Sequence, residues 1–476
     1  MMDPEPAAIG KFPLKSASRF VKRGRGRRDR ESPARENLMD QRQYPPAMLA
    51  WLVWGLGAAF YFTGFYHRVA PAVMTEQLMA EFRIGAAGLG NFSAFYFYSY
   101  FLMQVPTGVL ADYWGPRKLL VSGTMVAAFG TLLFASASSI LPANLGRFLI
   151  GGAVGVAYVA ILRLATGWFK PRFFATLSGL TLACGVAGAV SAGIPLHFLV
   201  IRFGWRPTMF VAAVILLLLG IAIRLIVRDD PSERGFRSFA VSDPGPAFSA
   251  KMLRKDLSAA LKSRNVRLLF FVASGLTGTV VSFTGLWGVP FFTTHYRMSV
   301  AAASAVTSTL LISYAAGAIL LGILSDRIGL RKPVMFTGSV VALLCWIPLL
   351  IFPGLPVRLL VSIVILIGLA CGSVTIGFAF AKESVPSRFA GTVSGLYNMG
   401  SILGAIILQP AIGWILDLCW RGAVVGGARI YDLAAYRAGF ALMIAFSILS
   451  ILTIAFTRET HCRPAEEPKP GANSPK

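Results

Sequence analysis

Residues 108–120 read GVLADYWGPRKLL and residues 322–334 read GILSDRIGLRKPV. Both open on a glycine, Gly108 or Gly322, with an acid four places on, Asp112 or Asp326. A second glycine and a basic pair follow: Gly115, Arg117 and Lys118 in one, Gly329, Arg331 and Lys332 in the other, where Arg327 also stands beside the acid. The glycines permit an immediate turn. A carboxylate there suits the unpaired N–H groups of a neighbouring helix N-terminus, and Arg and Lys are positioned to pair it across to a second body. This is the chemistry of a latch. The plainer alternative is a loop whose charges only set topology.

A second constellation lies in FYFTGFYHRVAPAVM and FSAFYFYSYFLMQVPTG. Arg68 stands inside an apolar run, where a charge is costly unless it faces a cavity or a partner. Its planar fork suits a carboxylate, and the hydroxyls of Tyr61, Tyr66, Tyr96 and Tyr100 are available to the same ligand. Snorkelling to the interface is the competing reading. His67 has an imidazole that titrates near physiological pH, and its plainer role is to hold one hydrogen bond. Trp287 and the tyrosines suit an apolar cavity wall or ordinary packing at the interface. Arg68, His67, Tyr66, Tyr96, Tyr100 and Trp287 are therefore the candidate cargo-binding residues.

The elements that must carry these residues are membrane helices. Of 476 residues, 55% are hydrophobic and 14% charged, with a mean hydropathy of +0.66. A soluble protein carries about 25% charged residues. Apolar runs recur at a length that crosses a hydrocarbon core, and in lipid such runs must pair their backbone internally, as helices do. Twelve spans are expected near 47–78, 85–109, 117–137, 142–166, 174–200, 207–227, 267–292, 300–324, 333–351, 357–381, 391–416 and 438–457. This predicts an all-α membrane protein of two six-helix bundles, 47–227 and 267–457. A polar linker, 228–266, joins them, and tails 1–46 and 458–476 flank them.

The net charge of +24 does not point to nucleic acid, because the basic residues sit between the apolar runs. If the N-terminus is cytoplasmic, about 34 of the 45 Lys and Arg fall on cytoplasmic segments, which orients both termini inward. The basic tail VKRGRGRRDRESPAR has the composition of a disordered segment, with a weak contact to anionic headgroups as the sharper alternative. The five cysteines, Cys184, Cys345, Cys371, Cys419 and Cys462, show no metal-ligand spacing and read as packing residues.

The halves repeat. Ser99-Tyr100 precedes Ser313-Tyr314 by 214 residues, and Asp112, Gly115, Arg117 and Lys118 keep that offset to Asp326, Gly329, Arg331 and Lys332. RFFATLSGL at 172–180 mirrors RFAGTVSGL at 388–396. A constant offset across polar residues marks an internal duplication, and parallel repeats about a membrane-normal axis are a transporter design.

The Gly322, Asp326, Arg327, Gly329, Arg331, Lys332 pattern resembles the signature loop of the major facilitator superfamily; its first copy departs at Tyr113, where that family usually has Arg. Arg147-x-x-x-Gly151 is similar to the family's fourth-helix motif, with Ala153 in place of a glycine, and Gly204-Trp205-Arg206 agrees too. The first two helices resemble the anion:cation symporter branch, with Arg68 matching and His67 replacing the usual Asp. They also resemble the phagosomal nutrient carriers of intracellular bacteria. The resemblance implies two bundles that rock about a central cavity, latch loops on the cytoplasmic side, and Arg68 on the cavity side. Branch members that bind phosphate often supply a second Arg from the seventh helix. FVASGLTGTVVSFTGLWGVPFF has none, which favours a monocarboxylate, amino acid or other small metabolite.

The expected function is therefore ion-coupled uptake of a small polar metabolite by a monomeric carrier in a bacterial inner membrane. A proton or sodium ion is the expected co-substrate, and no cofactor or metal is expected. Proton coupling rests on the resemblance, since the fourth helix, GRFLIGGAVGVAYVAILRLATGW, carries Arg147 and Arg163 and no acid. Efflux of drugs or metabolites is the alternative, and a transporter-like nutrient sensor is a further one. An enzyme is disfavoured: there is no nucleophile elbow, no paired acids, and four scattered His.

Overall fold

A computed structural model describes residues 43–240, 257–352, 354–386 and 389–464; the side chains of Val105, Gly108, Val109 and Asp112 also lie outside the described residues. Among the described residues, twelve long helices carry the fold. They are α1 (Ala47–Val73), α2 (Ala86–Trp114), α3 (Pro116–Ser136), α4 (Ile140–Trp168), α5 (Pro171–Phe203), α6 (Trp205–Ile226), α7 (Arg264–His295), α8 (Val300–Ile328), α9 (Lys332–Ile351), α10 (Val357–Glu383), α11 (Ala390–Leu418) and α12 (Leu433–Ala455). Eleven of them are long and apolar enough to cross a membrane. The twelfth, α2, is as long as α8 and α11 and is interrupted by Asn91, Ser93, Ser99 and Gln104.

An even number of spans puts the start of α1 and the end of α12 on one side, called here the tail face; the opposite side is the far face. The first span does not run to residue 78 as its hydropathy suggests. Regular α-helix stops at Val69, a 3₁₀ turn covers Ala70–Val73, and a separate short helix, Thr75–Phe82, follows. Pro71 is the cause: it has no N–H to continue the ladder.

Each half is a bundle in which small residues let backbones approach, as lipid-embedded helices require. Gly151 of α4 lies under the carbonyl of Tyr96, Gly188 of α5 under that of Phe62, and Gly404 of α11 against Ser274 of α7. Gly115 and Gly329, the turns of the two signature loops, have φ of 78° and 69°, a conformation that side chains with a Cβ resist.

The halves are joined unevenly. One apolar core runs from the C-terminal half into the far end of the N-terminal half, including Val69, Met74, Leu89, Phe92, Leu196 and Trp205. A second core fills the tail side of the N-terminal half around Phe60, Leu120, Ile161 and Trp168. α2 packs along α11, with Gly90 against the backbone of Gln409 and Pro410. α5 meets α8 where Gly193 touches Ser304 and Ser308. Toward the tail face the counterpart glycines are bare. A Cβ on Gly179, Gly322, Gly391 or Gly395 would meet nothing within 4 Å. The molecule is thus closed at the far face, with a cleft between the halves that opens toward the tail face.

On the far face the α11–α12 connection forms a small hairpin, β1 (Val424–Val425) antiparallel to β2 (Ala428–Arg429). On the tail face the chain before α1 and the start of the linker are tied together. Tyr44 stacks on Phe239 at 4.2 Å, Arg237 N–H donates to Gln43 O at 2.9 Å, and Phe239 N–H to Gly167 O at 3.0 Å.

Candidate functional site

Arg68 lies in the last turns of α1, partly exposed, between the halves. Its guanidinium sits over the rings of Phe65 and Phe97, 5.2 Å from each centroid. Its charge acts on the hydroxyls of Tyr61, Tyr96 and Tyr100 from the N-terminal half and on that of Tyr314 from the C-terminal half. Among the described residues it has no carboxylate partner and no hydrogen bond. A cation held by aromatic faces and left without an acid has the chemistry to accept an anion.

Tyr100 and Tyr314 are repeat mates, 214 residues apart, on α2 and α8. Gln104 Nε2 donates to the backbone oxygen of Tyr100 at 3.5 Å. Asn398 Nδ2 in turn donates to Gln104 Oε1 at 2.8 Å, which joins α2 to α11 across the cleft. Tyr314 lies 3.4 Å from Thr277 Oγ1. The Gln104–Asn398 amide pair escaped sequence reasoning. Neither amide carries a charge, and neither has an amide at its repeat position to single it out.

The other candidates are placed differently. Tyr96 is buried: its hydroxyl donates to Gly64 O at 3.0 Å, and its ring stacks toward Tyr100 at 6.1 Å. His67 is 2% exposed and turned into the N-terminal bundle, 3.4 Å from Thr131 Oγ1. The structure thus puts it off the cleft, in the plainer hydrogen-bonding role. Tyr66 meets His67 edge-on at 5.6 Å and packs on the far-side core. Trp287 ends a π-helical turn, Phe283–Trp287, and donates its indole N–H to Gln409 O at 3.1 Å, so it packs helices and does not line the cleft beside Arg68.

Arg147 of α4 holds this geometry from behind. It is 1% exposed, and its guanidinium donates to His67 O and, at 3.5 Å, to Ser93 O. It also lies 5.1 Å from the Tyr96 ring centroid. The α1 turn that carries Arg68 is therefore clamped by a second, deeper arginine.

The signature loops close on their own halves. Arg331 donates through Nη2 to Glu383 at 2.8 Å and through Nη1 to Ser325 at 3.1 Å, and pairs with Asp326. Asp326 and Asp112 were expected to face a helix N-terminus and be paired across the bundles. With the halves apart at this face, Asp326 pairs with Arg331 of its own half; the side chains of Gly108 and Asp112 lie outside the described residues. The acids that cap these helices follow the last span of each half. Asp229 accepts from Arg117 N at 2.6 Å at the start of α3, and Glu459 accepts from Arg331 N and Lys332 N at 3.0 and 2.8 Å at the start of α9. Arg117 also donates to Arg224 O at 2.7 Å, and Lys332 Nζ to Ala455 O at 2.7 Å. Lys118 and Arg327 are exposed. Burial raises the Asp229 carboxyl above its usual range, against the pull of the Arg117 N–H. Burial also opposes ionisation of Glu459, but the backbone N–H groups of Arg331, Lys332, His461 and Thr460 outweigh it and lower the group.

The chain is 23% identical to the cis,cis-muconate transport protein of Acinetobacter baylyi, over 76% of this chain and 85% of that one. It is 23% identical to a probable sulfoacetate transporter of Cupriavidus necator, over 77% and 87%. Among solved structures, a bacterial homolog of the human lysosomal transporter Spinster shares the fold at 16% identity, with a TM-score of 0.68 over 88% of this chain and 97% of that one. The family model described as Major Facilitator Superfamily matches residues 53–291 and 270–476. With its duplicated loops and twelve helices in two halves around a cleft, the chain belongs to the Major Facilitator Superfamily and is a multi-pass membrane transporter of small molecules.

Proposed function

We propose that this protein takes up a small organic anion bearing a carboxylate, with Arg68 as its anchor in the cleft. The observation that carries the reading is the Arg68 cation, held over Phe65 and Phe97 with no carboxylate or hydrogen-bond partner among the described residues. The relatives named for muconate and sulfoacetate, and a probable galactarate/D-glucarate transporter of Escherichia coli at 22% identity, support a carboxylate-bearing cargo. The distribution of basic residues supports a cytoplasmic tail face, and the bacterial relatives support the inner membrane. An anion entering a negative interior is opposed by about 2.3 kcal/mol per charge per 100 mV. Uptake is accordingly proposed as symport with a proton or sodium ion.

The test is ligand binding to purified protein across carboxylates, amino acids and nucleosides, followed by Arg68→Lys and Arg68→Ala. Lys keeps the charge and loses the planar fork. On the scale of a charge-assisted hydrogen bond, roughly 1.5–3 kcal/mol, carboxylate affinity falls by about tenfold to a hundredfold. Wild-type affinity in both variants overturns the reading.

A further inference from the structure

We propose that Asp417 is the far-face latch of the transport cycle: a carboxylate of the C-terminal half that caps α2 of the N-terminal half and must let go before the far side opens.

Asp417 stands in the last turn of α11. Its Oδ2 accepts from Ala87 N–H at 2.8 Å and its Oδ1 from Ala86 N–H at 3.1 Å, which are the first N–H groups of α2. Tyr431 is wedged into the same contact. Its hydroxyl accepts from Ala86 N–H at 2.9 Å and donates to Asp417 Oδ1 at 2.6 Å. Arg429 Nη1 completes the set at 3.1 Å from Oδ1. The carboxylate is thus fully engaged, with two donors from the other half and two from its own. It is also pressed on bare backbone, since a Cβ on Gly85 would collide with it.

The hairpin β1–β2 supplies the grip. Arg429 of β2 is held over the Trp420 ring at 4.2 Å, and Gly427 at the turn lies on Ala80 of the short helix Thr75–Phe82. Every cross-half partner of this network lies on the face where the halves are closed. Separating the halves there strips two backbone N–H groups and a carboxylate of their partners at once, whereas opening the tail face leaves the network untouched. Charge-assisted bonds to helix N–H groups are among the stronger ones, so the network favours the far-closed state over its opposite. The reading rests on alternating access alone and is independent of the cargo.

The test is far-side opening in lipid nanodiscs. Leu89, one turn along α2 and fully buried, becomes the reporter as Leu89→Cys, with the five native cysteines replaced by serine. A parallel protein keeps only Cys371, which is buried in the C-terminal half. Asp417→Asn raises maleimide labelling at position 89 about tenfold, the factor that one charge-assisted hydrogen bond supplies, and leaves Cys371 labelling unchanged. Ala86→Pro removes one donor while suiting the first position of a helix, and it raises position-89 labelling too; if Asp417→Asn does not fold, this variant decides. Parent-rate labelling in the variants overturns the proposal. So does an equal rise at Cys371, which marks general loosening.

Discussion

The guanidinium of Arg147 donates to the carbonyl oxygen of His67, whose α-helical donor would be residue 71, a proline. A buried acceptor left unmatched costs about 1–3 kcal/mol, and here a side chain from α4 meets the need that the sequence of α1 creates. The end of regular α-helix at Val69 and the arginine behind it are one device.

Arg147→Met therefore lowers stability by about 1–3 kcal/mol through the unmatched His67 carbonyl. Pro71→Ala offers that carbonyl a backbone N–H. In the Pro71→Ala background the loss from Arg147→Met shrinks by roughly 0.5–1.5 kcal/mol, the net worth of one hydrogen bond. Thermal unfolding of the four proteins in detergent measures the cycle. An equal loss in both backgrounds would show that the two residues are uncoupled.

Glycines at the two faces report on different states. Gly90 packs against the backbone of Gln409, so Gly90→Val overpacks the far-closed form by about 1–3 kcal/mol and lowers its melting temperature. A side chain at Gly322 meets open space, so Gly322→Val leaves stability and cargo binding in the tail-open form near wild type. Its effect falls on turnover in proteoliposomes, by about tenfold or more where tail closure brings this surface against the other half. A Gly322→Val protein with wild-type turnover would remove that surface from the cycle.

Within the tail-face network Arg331 and Glu383 are almost enclosed, at 10% and 12% side-chain exposure, while Asp326 is 69% exposed. Glu383→Gln costs about 1.5–3 kcal/mol of stability, as expected for a charged hydrogen bond; Asp326→Asn costs less than ~1 kcal/mol, as for a surface pair. Asp326→Asn instead slows transport more than it weakens equilibrium binding. Glu459, lowered by backbone donors, adds stability that is present above its ordinary value of 4.5 and is lost as pH falls through the lower folded value. In Glu459→Gln that acid-side loss is absent. Melting curves from pH 3 to 7 separate these contributions, and a Glu383→Gln protein as stable as Asp326→Asn would contradict the ranking.

Much of this was legible in the chain because it is written twice. The 214-residue offset pairs Tyr100 with Tyr314 before any fold is known. The signature loops were visible for the same reason. What the sequence hid is what occurs once or depends on which face is closed. Asp417 has no acid at its repeat position, where residues 201–203 are Ile, Arg and Phe, so no pattern flagged it. Asp229 and Glu459 each follow an ordinary span end, and only packing shows that they cap the third helix of their half. His67 was legible as a residue type and not as a direction. A helix of period 3.6 sends neighbours 67 and 68 to different faces, and the partners of each face are known only once α3 and α4 are in place.

The stacked pair Tyr44 and Phe239 fixes where one moving body ends. The first dozen residues beyond α6 are strapped to the start of α1 and to Gly167, so they travel with the N-terminal half. The chain has rejoined the C-terminal half by Ala260, which is fully buried in that half's core, so both ends of the polar linker read from composition belong to one half or the other. A protease site placed at 241–256 would leave every tail-face contact described here intact. A cut at 228–232 would instead sever the Asp229 cap from the helix it serves.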